Sequence, residues 1–288
     1  MSREAHAAVA RARDEFLAMV EGLRPELHRY CARLTGSVVE GEDVVQDALA
    51  KAFYSLGLVP EPPPLRPWLF RIAHNAALDH LKRHERRFTE ARADMSDVPE
   101  DEAPDPLVAR VALAKFLALP VAQRGAVILK DVLGQSLEET AEIMDSTVPA
   151  VKAALVRGRS RLRDPDVEPA PLAVEARAEL DRYAALFNAR DWDGLRALVQ
   201  EDCRLDLVAK SRRRGKEVGL YFTQYAKAPV TLRVVALDGR LALAAHVDGA
   251  ERPAYFILLE WEDGRVRSIR DFRYVPYIAA EADYFVPV

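Results

Sequence analysis

The stretch Ser136–Arg163, SLEETAEIMDSTVPAVKAALVRGRSRLR, decides the fold of the middle of this chain. Ser136 followed three residues later by Glu139 is a capping-box pattern, so a helix is predicted to begin at Leu137. A short turn follows it, and Val148–Leu162 is predicted to form a second helix with a proline in its first turn. Two short helices joined in this way are typical of a helix-turn-helix.

The second helix is predicted to bury one side and to present the other to duplex DNA. At about 100° per residue, the inward side holds Val151, Leu155, Gly158 and Leu162. The opposite side begins with small residues, which let the backbone approach base edges in a major groove, and ends with arginines that reach phosphates. The predicted DNA-binding residues are Ser146, Thr147, Pro149, Ala150, Lys152, Ala153, Arg157, Arg159 and Arg161.

The charge distribution favours this interpretation over an ordinary solvated amphipathic helix. The net charge is −4, with 41 Lys and Arg against 45 Asp and Glu. Ser146–Arg163 nevertheless contains five basic residues and no acid, whereas Met95–Pro106 (MSDVPEDEAPDP) contains five acids and no base. A mildly acidic protein can therefore carry a basic nucleic-acid surface.

Two segments rich in proline and acid divide the chain into three blocks. Met95–Pro106 is predicted to be an extended linker, and Asp164–Leu172 (DPDVEPAPL) marks a second break. The predicted fold is multi-domain, with two all-α domains, the second a helix-turn-helix, followed by an α+β domain. The predicted boundaries are 1–94 and 107–164 for the helical domains, 95–106 and 165–174 for the linkers, and 175–288 for the last domain.

Hydrophobic periodicity predicts the elements of each block. The further predicted helices are Phe16–Leu34 with a break at Pro25, Glu42–Leu56, Trp68–Arg83, Leu107–Leu119, Val121–Leu133, Glu175–Ala189 and Trp192–Val199. Alternating apolar and polar residues then predict strands in CRLDLV, TLRVVAL, LALAAHV, AYFILLEW and VRSIRDF.

One polar face in the first block is acidic. Asp43, Gln46 and Asp47 lie at i, i+3 and i+4, so they share a side of their predicted helix. This face suits a basic partner, but acids at a helix start are also favoured by the helix dipole alone.

A second polar face runs along the helix that begins near Trp68. Its members, at i, i+4, i+8 and i+11, are Arg71, Asn75, Asp79 and Lys82, and Arg83 continues the positive charge. Such a stripe suits single-stranded DNA. Trp68 itself either stacks on a base or anchors the core, and Asp79 is expected to brace a neighbouring arginine.

These motifs together resemble a known family. Leu119–Arg163 resembles region 4 of the extracytoplasmic-function (ECF) sigma factors, EGEDVVQDALAKAF resembles their region 2.2, and LRPWLFRIAHNAALDHLKR resembles regions 2.3 to 2.4. The resemblance implies that the chain binds core RNA polymerase, recognises the −10 and −35 promoter elements and initiates transcription. It also implies that the acidic linker runs towards the RNA exit path of the polymerase, although a solvated spacer fits the sequence equally well.

The resemblance assigns the polar faces to partners. It places core-polymerase contacts at Asp43, Gln46 and Asp47, and −35 contacts at the helix-turn-helix residues named above. The −10 contacts that it implies are Trp68, Arg71, Asn75, Lys82 and Arg83.

The third block resembles another family at its start. RYAALFNARDWDGLRALVQEDCRLDLV resembles SnoaL-like domains, which have a cone-shaped α+β fold that often holds a pocket. The ionisable candidates for such a pocket are Asp206, His246, Tyr255 and Asp271. Nothing in the sequence brings them together, so no catalytic residue is predicted. The resemblance instead implies a regulatory domain in contact with the helical domains, and the tail Phe272–Val288 is a candidate for that contact.

Several other classes of protein are disfavoured. No stretch approaches about 18 unbroken apolar residues, and the N-terminus lacks a secretory signal, so a cytoplasmic protein without a membrane partner is expected. The sequence predicts no enzyme, no metal site and no cofactor, and Cys31 and Cys203 are expected to be buried free thiols. Two alternatives stay open: a helix-turn-helix regulator with a ligand-sensing C-terminal domain, and a SnoaL-like enzyme with a DNA-binding appendage.

Overall fold

The computed structural model describes residues 3–56, 58, 63–91, 116, 118–162, 177–215, 219–226 and 228–287. The chain divides into two compact units, Met1–Pro169 and Ala170–Val288. Both predicted linkers fall entirely outside the described residues, as does most of the predicted helix Leu107–Leu119. The predicted fold class is confirmed, since helices fill the first unit and an α+β arrangement fills the second.

The first unit begins with four helices. They are α1 (Arg3–Val20), α2 (Arg24–Thr35), α3 (Val38–Leu56) and α4 (Leu65–Ala91). The predicted break at Pro25 is confirmed, because this proline occupies the first turn of α2, where its missing N–H has no helical partner to lose. Gly36 ends α2 in the left-handed conformation with φ of 87°.

Helices α2 and α3 cross so closely that only glycine fits at one position. A Cβ added to Gly41 of α3 would lie 2.5 Å from Cα of Ala32 in α2. The backbones therefore approach each other directly at this crossing, which holds α3 at a fixed distance from the rest of the unit.

The helix-turn-helix follows in the same unit. Its elements are α5 (Val121–Val127), a π-helical turn (Ile128–Val132), α6 (Leu137–Ile143) and α7 (Val148–Leu162). The predicted helix Val121–Leu133 is confirmed in position, but it changes from α to π geometry halfway, so that Leu133 N bonds to Ile128 O.

One apolar cluster joins the helix-turn-helix to the first four helices. From α2 and α4 it takes residues such as Tyr30, Leu34 and Phe70, and from the later helices it takes Ile128, Leu129 and Ile143. The two helical domains distinguished in the sequence thus pack into a single body in this structure.

Polar contacts cross the same boundary. Arg124 of α5 is 7% exposed, and its guanidinium donates to the carbonyl oxygens of Leu34, at 2.6 Å, and Leu119, at 3.1 Å. Beneath Gly125, the hydroxyl of Tyr30 and Nδ1 of His74 share a hydrogen bond of 2.5 Å. Arg124 thus supplies a donor to one carbonyl in the last turn of α2, that of Leu34, which the helix leaves unpaired.

The second unit starts with α8 (Arg177–Asn188) and α9 (Trp192–Leu198), as the sequence predicts. The strands are β1 (Val199–Leu207), β2 (Ser211–Arg214), β3 (Val230–Leu237), β4 (Arg240–Val247), β5 (Tyr255–Glu262), β6 (Arg265–Asp271) and β7 (Tyr284–Phe285). Two short helices, α10 (Gly219–Tyr225) and α11 (Tyr277–Glu281), complete it. All five predicted strands are confirmed, whereas β2, β7, α10 and α11 were not predicted.

The strands form one sheet in the order β2-β1-β6-β5-β4-β3-β7. Only the β1–β6 pair is parallel, and it places the ends of these two strands, Leu207 and Asp271, opposite each other. One face of the sheet packs on α8, α9 and α10 around an apolar core that includes Phe187, Leu205 and Ile257. Residues 272–287 of the predicted tail pack inside this unit, since β7 pairs with β3 and the Tyr284 ring lies 5.6 Å from that of Phe256.

We expect the stability of the first unit to fall in acid because of His74. Burial lowers the pKa of His74 to about 4 from its usual 6.5, so the unfolded chain binds the extra proton first as the pH falls between these values. This residue should remove about 3 kcal/mol from the free energy of unfolding between pH 7 and pH 4. Urea unfolding followed by tryptophan fluorescence across this range measures the effect.

The variant His74→Gln should lose most of this pH dependence, whereas His80→Gln, at a partly exposed position, should keep it. Parallel profiles for wild type and His74→Gln would refute the assignment.

Candidate nucleic-acid interface

The first helix of the helix-turn-helix is fixed by its cap. The Ser136 hydroxyl accepts from Glu139 N at 3.0 Å, and the Glu139 carboxylate accepts from Ser136 N at 2.7 Å. The predicted capping box is therefore confirmed. These hydrogen bonds lower the pKa of Glu139. The helix then ends in a tight turn at Asp145, which has φ of 47°.

The buried side of α7 agrees closely with the prediction. Val151, Leu155 and Gly158 are buried as predicted, Leu162 is partly buried, and Ala154 joins them. A Cβ at Gly158 would lie 3.1 Å from Cγ2 of Val127, so the small residue lets α7 lie close to α5.

The other side of α7 and the turn before it face solvent. Of the predicted DNA-binding residues, the exposed ones are Ser146, Thr147, Pro149, Ala150, Lys152, Arg157, Arg159 and Arg161, whereas Ala153 is partly buried. Within residues 146–162 this surface contains no acidic side chain.

Arg159 differs from the other arginines because it is engaged within the protein. Its Nε and Nη2 donate to the two carboxylate oxygens of Asp131, at 2.9 and 2.5 Å. This bidentate pair raises the pKa of Arg159. It ties α7 to the π-helical turn, so in this structure Arg159 positions the helix.

Val156 was missed by the sequence analysis, which considered only small and polar residues on this side. It is 67% exposed and lies on α7 between Lys152 and Ser160, one turn from each. An exposed β-branched residue on a basic helix is available for apolar contact with a thymine methyl group. Its position outside the buried stripe was the signal that could have identified it.

The acidic face of α3 lies beside the basic end of α4. Asp47 is exposed, while Asp43 and Gln46 are partly buried. Arg83 Nη2 of α4 lies 3.8 Å from Asp47, and Lys51 lies 3.7 Å from Asp79. The predicted polymerase face and the predicted −10 face thus border one open groove lined by Asp47, Ala50, Lys51, Asp79, Lys82 and Arg83.

The stripe on α4 is exposed as predicted. The solvent-facing residues are Arg71, Asn75, Asp79, Lys82 and Arg83. Trp68 is only 7% exposed and belongs to the apolar core, so the structure favours its role as a core anchor and not as a stacking platform.

In the second unit, two of the four ionisable candidates meet. The buried Asp271 carboxylate accepts from the hydroxyls of Tyr225, at 2.7 Å, and Tyr221, at 3.0 Å, and Tyr225 in turn accepts from Tyr255 at 3.1 Å. Arg273 lies 3.2 Å from Asp271. Burial raises the pKa of Asp271, and Arg273 opposes that rise.

The other two candidates lie elsewhere. Asp206 faces Arg212 and Arg270 at the edge of the sheet, and His246 Nδ1 is 2.8 Å from Ala250 O in the β4–β5 turn. Tyr221, Tyr225 and Arg273 were missed by sequence reasoning, although the two tyrosines share a helix face at i and i+4. No group of three or more His, Cys, Asp or Glu side chains able to hold a metal occurs among the described residues.

Comparison with known proteins bears on both helical segments. Residues 19–87 match Sigma-70 region 2, and residues 112–162 match Sigma-70 region 4. The ECF RNA polymerase sigma factor SigM of Mycobacterium tuberculosis is 35% identical over 138 residues, which are 48% of this chain and 69% of SigM. The chain belongs to the ECF sigma factors.

Two further relatives extend the comparison. The ECF sigma factor SigG of M. tuberculosis is 33% identical over 218 residues, 64% of this chain, but the chain spans only 58% of the length of SigG. The crystal structure of the M. tuberculosis ECF sigma factor SigJ covers 88% of this chain and 95% of its own, at 23% identity and a TM-score of 0.36. As an ECF sigma factor, the chain carries its helical sigma domains first and an α+β domain after them. Among its described helices, none is long and apolar enough to cross a membrane.

We expect Asp271→Ala to destabilise the second unit of this ECF sigma factor. The substitution leaves the Arg273 guanidinium and two buried tyrosine hydroxyls without their acceptor, which should cost about 3 kcal/mol. Asp271→Asn keeps one acceptor oxygen and should cost less. Thermal and urea unfolding measure both.

Asp202→Ala, at an exposed position of β1, serves as the matched control and should change stability by less than about 0.5 kcal/mol. An Asp271→Ala protein that unfolds at the wild-type urea concentration would show that the cluster does not stabilise the fold.

Proposed function

We propose that this chain binds core RNA polymerase, recognises −10 and −35 promoter elements and initiates transcription, with its C-terminal domain modulating that activity. The observation that carries the proposal is the pairing of two surfaces on one packed body. One is the acidic and basic groove of α3 and α4, and the other is the acid-free outer side of α7.

The outer side of α7 suits duplex DNA. Small residues at its start allow the backbone to approach base edges, and the exposed Lys152, Arg157 and Arg161 supply charge for phosphates. In this proposal Val156 contacts base edges and Arg159 holds the helix through Asp131. The basic side chains around them supply most of the affinity for DNA.

The groove of α3 and α4 suits two partners at once. Asp43, Gln46 and Asp47 offer carboxylate and amide groups to a basic surface of the polymerase. Across the groove, Arg71, Asn75, Lys82 and Arg83 offer hydrogen bonds and charge to unpaired promoter bases. The ion pairs that join the two sides would be exchanged for contacts with these partners.

The alternative, a regulator that shares only the helix-turn-helix, assigns no task to this groove. An enzyme with a DNA-binding appendage is disfavoured because the Asp271 carboxylate is 0% exposed and already accepts hydrogen bonds from Tyr221 and Tyr225. Transcription reconstituted with core polymerase and genomic promoter fragments tests the proposal. A chain ending at Pro169 in the same assay measures what the C-terminal domain contributes, and equal activity of both would remove its modulating role.

We expect the double variant Asp43→Ala/Asp47→Ala to bind core polymerase about tenfold more weakly, because two charges that steer and pair with a basic partner are lost. Fluorescence anisotropy of the labelled chain titrated with core enzyme measures this. Glu138→Ala, which removes an exposed acid from α6, should bind as wild type does. Equal affinity of the double variant and Glu138→Ala would place the polymerase contact elsewhere.

We expect two neighbouring residues of α7 to act differently on duplex DNA. Arg157→Ala should weaken binding to every sequence and lower the slope of log affinity against log salt by about 0.9, because one phosphate contact is lost. Val156→Ala should keep the slope and lose about fivefold only on the preferred sequence. Salt titrations on promoter and scrambled duplexes separate the two. A sequence-selective loss for Arg157→Ala would reassign it to base recognition.

A further inference from the structure

The edge of the sheet in the second unit carries an unusual concentration of positive charge. The segment Lys210–Lys216 has the sequence KSRRRGK, with five basic residues in seven and no acid. Within this segment Ser211–Arg214 form β2, at one end of the strand order. We call the surface formed by Arg204, Lys210, Arg212 and Arg270 the basic face.

One carboxylate is shared by two arginines on this face. Asp206 Oδ1 lies 3.7 Å from Nε of Arg212, and its Oδ2 lies 3.6 Å from Nε of Arg270. The Arg212 side chain is 80% exposed, whereas that of Asp206 is 19% exposed. Arg204 is exposed and has no ion pair with any residue that the structure describes. The four basic residues of the face thus share this one carboxylate.

Protection of a sheet edge does not account for the whole face. Charged residues on an edge strand prevent pairing with other chains, and that explains arginines on β2. Arg204 and Arg270, however, lie on β1 and β6, which are paired on both sides. A pattern that continues inward from the edge points to a bound anion.

An exposed aromatic ring lies at one end of the face. Lys210 Nζ donates to Tyr274 Oη at 3.0 Å and lies 4.1 Å from the centre of its ring. Tyr274 is 36% exposed. A positively charged surface that ends in an exposed aromatic ring matches the way proteins bind unpaired nucleic-acid strands, with cations on the backbone and a ring under a base.

We propose that the basic face of the C-terminal domain binds single-stranded DNA, with Arg204, Lys210 and Arg212 on phosphates and Tyr274 stacked on a base. The proposal rests on the proposed function for the source of that strand, which is the promoter opened by the polymerase. Side chains two residues apart on a strand are about 6.6 Å apart, so the face spans a few nucleotides. An acidic protein surface would use the cations but would leave the aromatic ring without a role.

Binding of the full chain to a fluorescent dT20 oligonucleotide, without polymerase, tests the proposal. The double variant Arg204→Ala/Arg212→Ala should bind about fivefold more weakly and should lower the salt slope by about 1.4, twice the value of about 0.7 for one single-strand contact. The control Arg252→Ala/Arg265→Ala removes the same charge from an exposed bend and from the exposed first residue of β6 in the same unit, and it should bind as wild type does.

Tyr274 gives a second, charge-independent measurement. Tyr274→Ala should weaken binding without changing the salt slope, and Tyr274→Phe should restore it because the ring still stacks. Photocrosslinking of a 4-thiothymidine oligonucleotide should label the peptide that contains Tyr274. An rU20 strand and a duplex of equal length distinguish the sources. If Arg204→Ala/Arg212→Ala weakens binding to either of them more than binding to dT20, the assignment of the basic face to single-stranded DNA is overturned.

Two results would overturn the proposal outright. The first is equal affinity and salt slope for wild type and Arg204→Ala/Arg212→Ala, with crosslinks confined to residues 3–162. The second is a double variant that loses affinity for core polymerase but not for dT20, which would make the face a protein contact. If the chain with core polymerase initiates no promoter transcription while dT20 binding still depends on the basic face, the proposed function is refuted but the proposed single-strand binding site is not.

Discussion

The packing of the helix-turn-helix against α2 and α4 depends on burying one apolar cluster from both sides. Ile128, Leu129 and Ile143 approach from the later helices, and Tyr30 and Phe70 from the earlier ones. Since burial of each such side chain contributes about 1.5–3 kcal/mol, this cluster dominates the energy of the contact. Arg124 then fixes its register, because a buried guanidinium must find hydrogen-bond acceptors and does so on the backbone at the end of α2.

This core buries only one side of each helix. The opposite, solvent-facing sides are the surfaces proposed to bind polymerase and DNA. On α4, Phe70 and His74 point inward while Arg71 and Asn75 face solvent. On α7, the inward stripe around Leu155 leaves the basic residues outside. Of the predicted binding residues, the apolar core takes Trp68 and the ion pair with Asp131 engages Arg159.

The sequence predicted most elements because their signals are local. The capping box at Ser136, the buried stripe of α7 and the five longer strands each depend on a few neighbouring residues, and all are confirmed. The contacts that it missed join distant segments. The pairing of Arg159 with Asp131 spans 28 residues that include α6, and the meeting of Tyr255 with Asp271 depends on strand order, which periodicity does not encode. The predicted roles of individual residues in binding polymerase and promoter stay predictions.

The shared core also limits how this protein can be dissected. A cut anywhere between Ala91 and Phe116 would separate α4 from α5 and expose apolar surface on both fragments. Phe70 and Tyr30 would be exposed on one fragment, and Leu129 and Ile143 on the other. Such fragments are expected to aggregate or to bind each other, so their behaviour in isolation would say little about the intact chain. Cleavage at Pro169, between the two compact units, leaves this apolar core undivided.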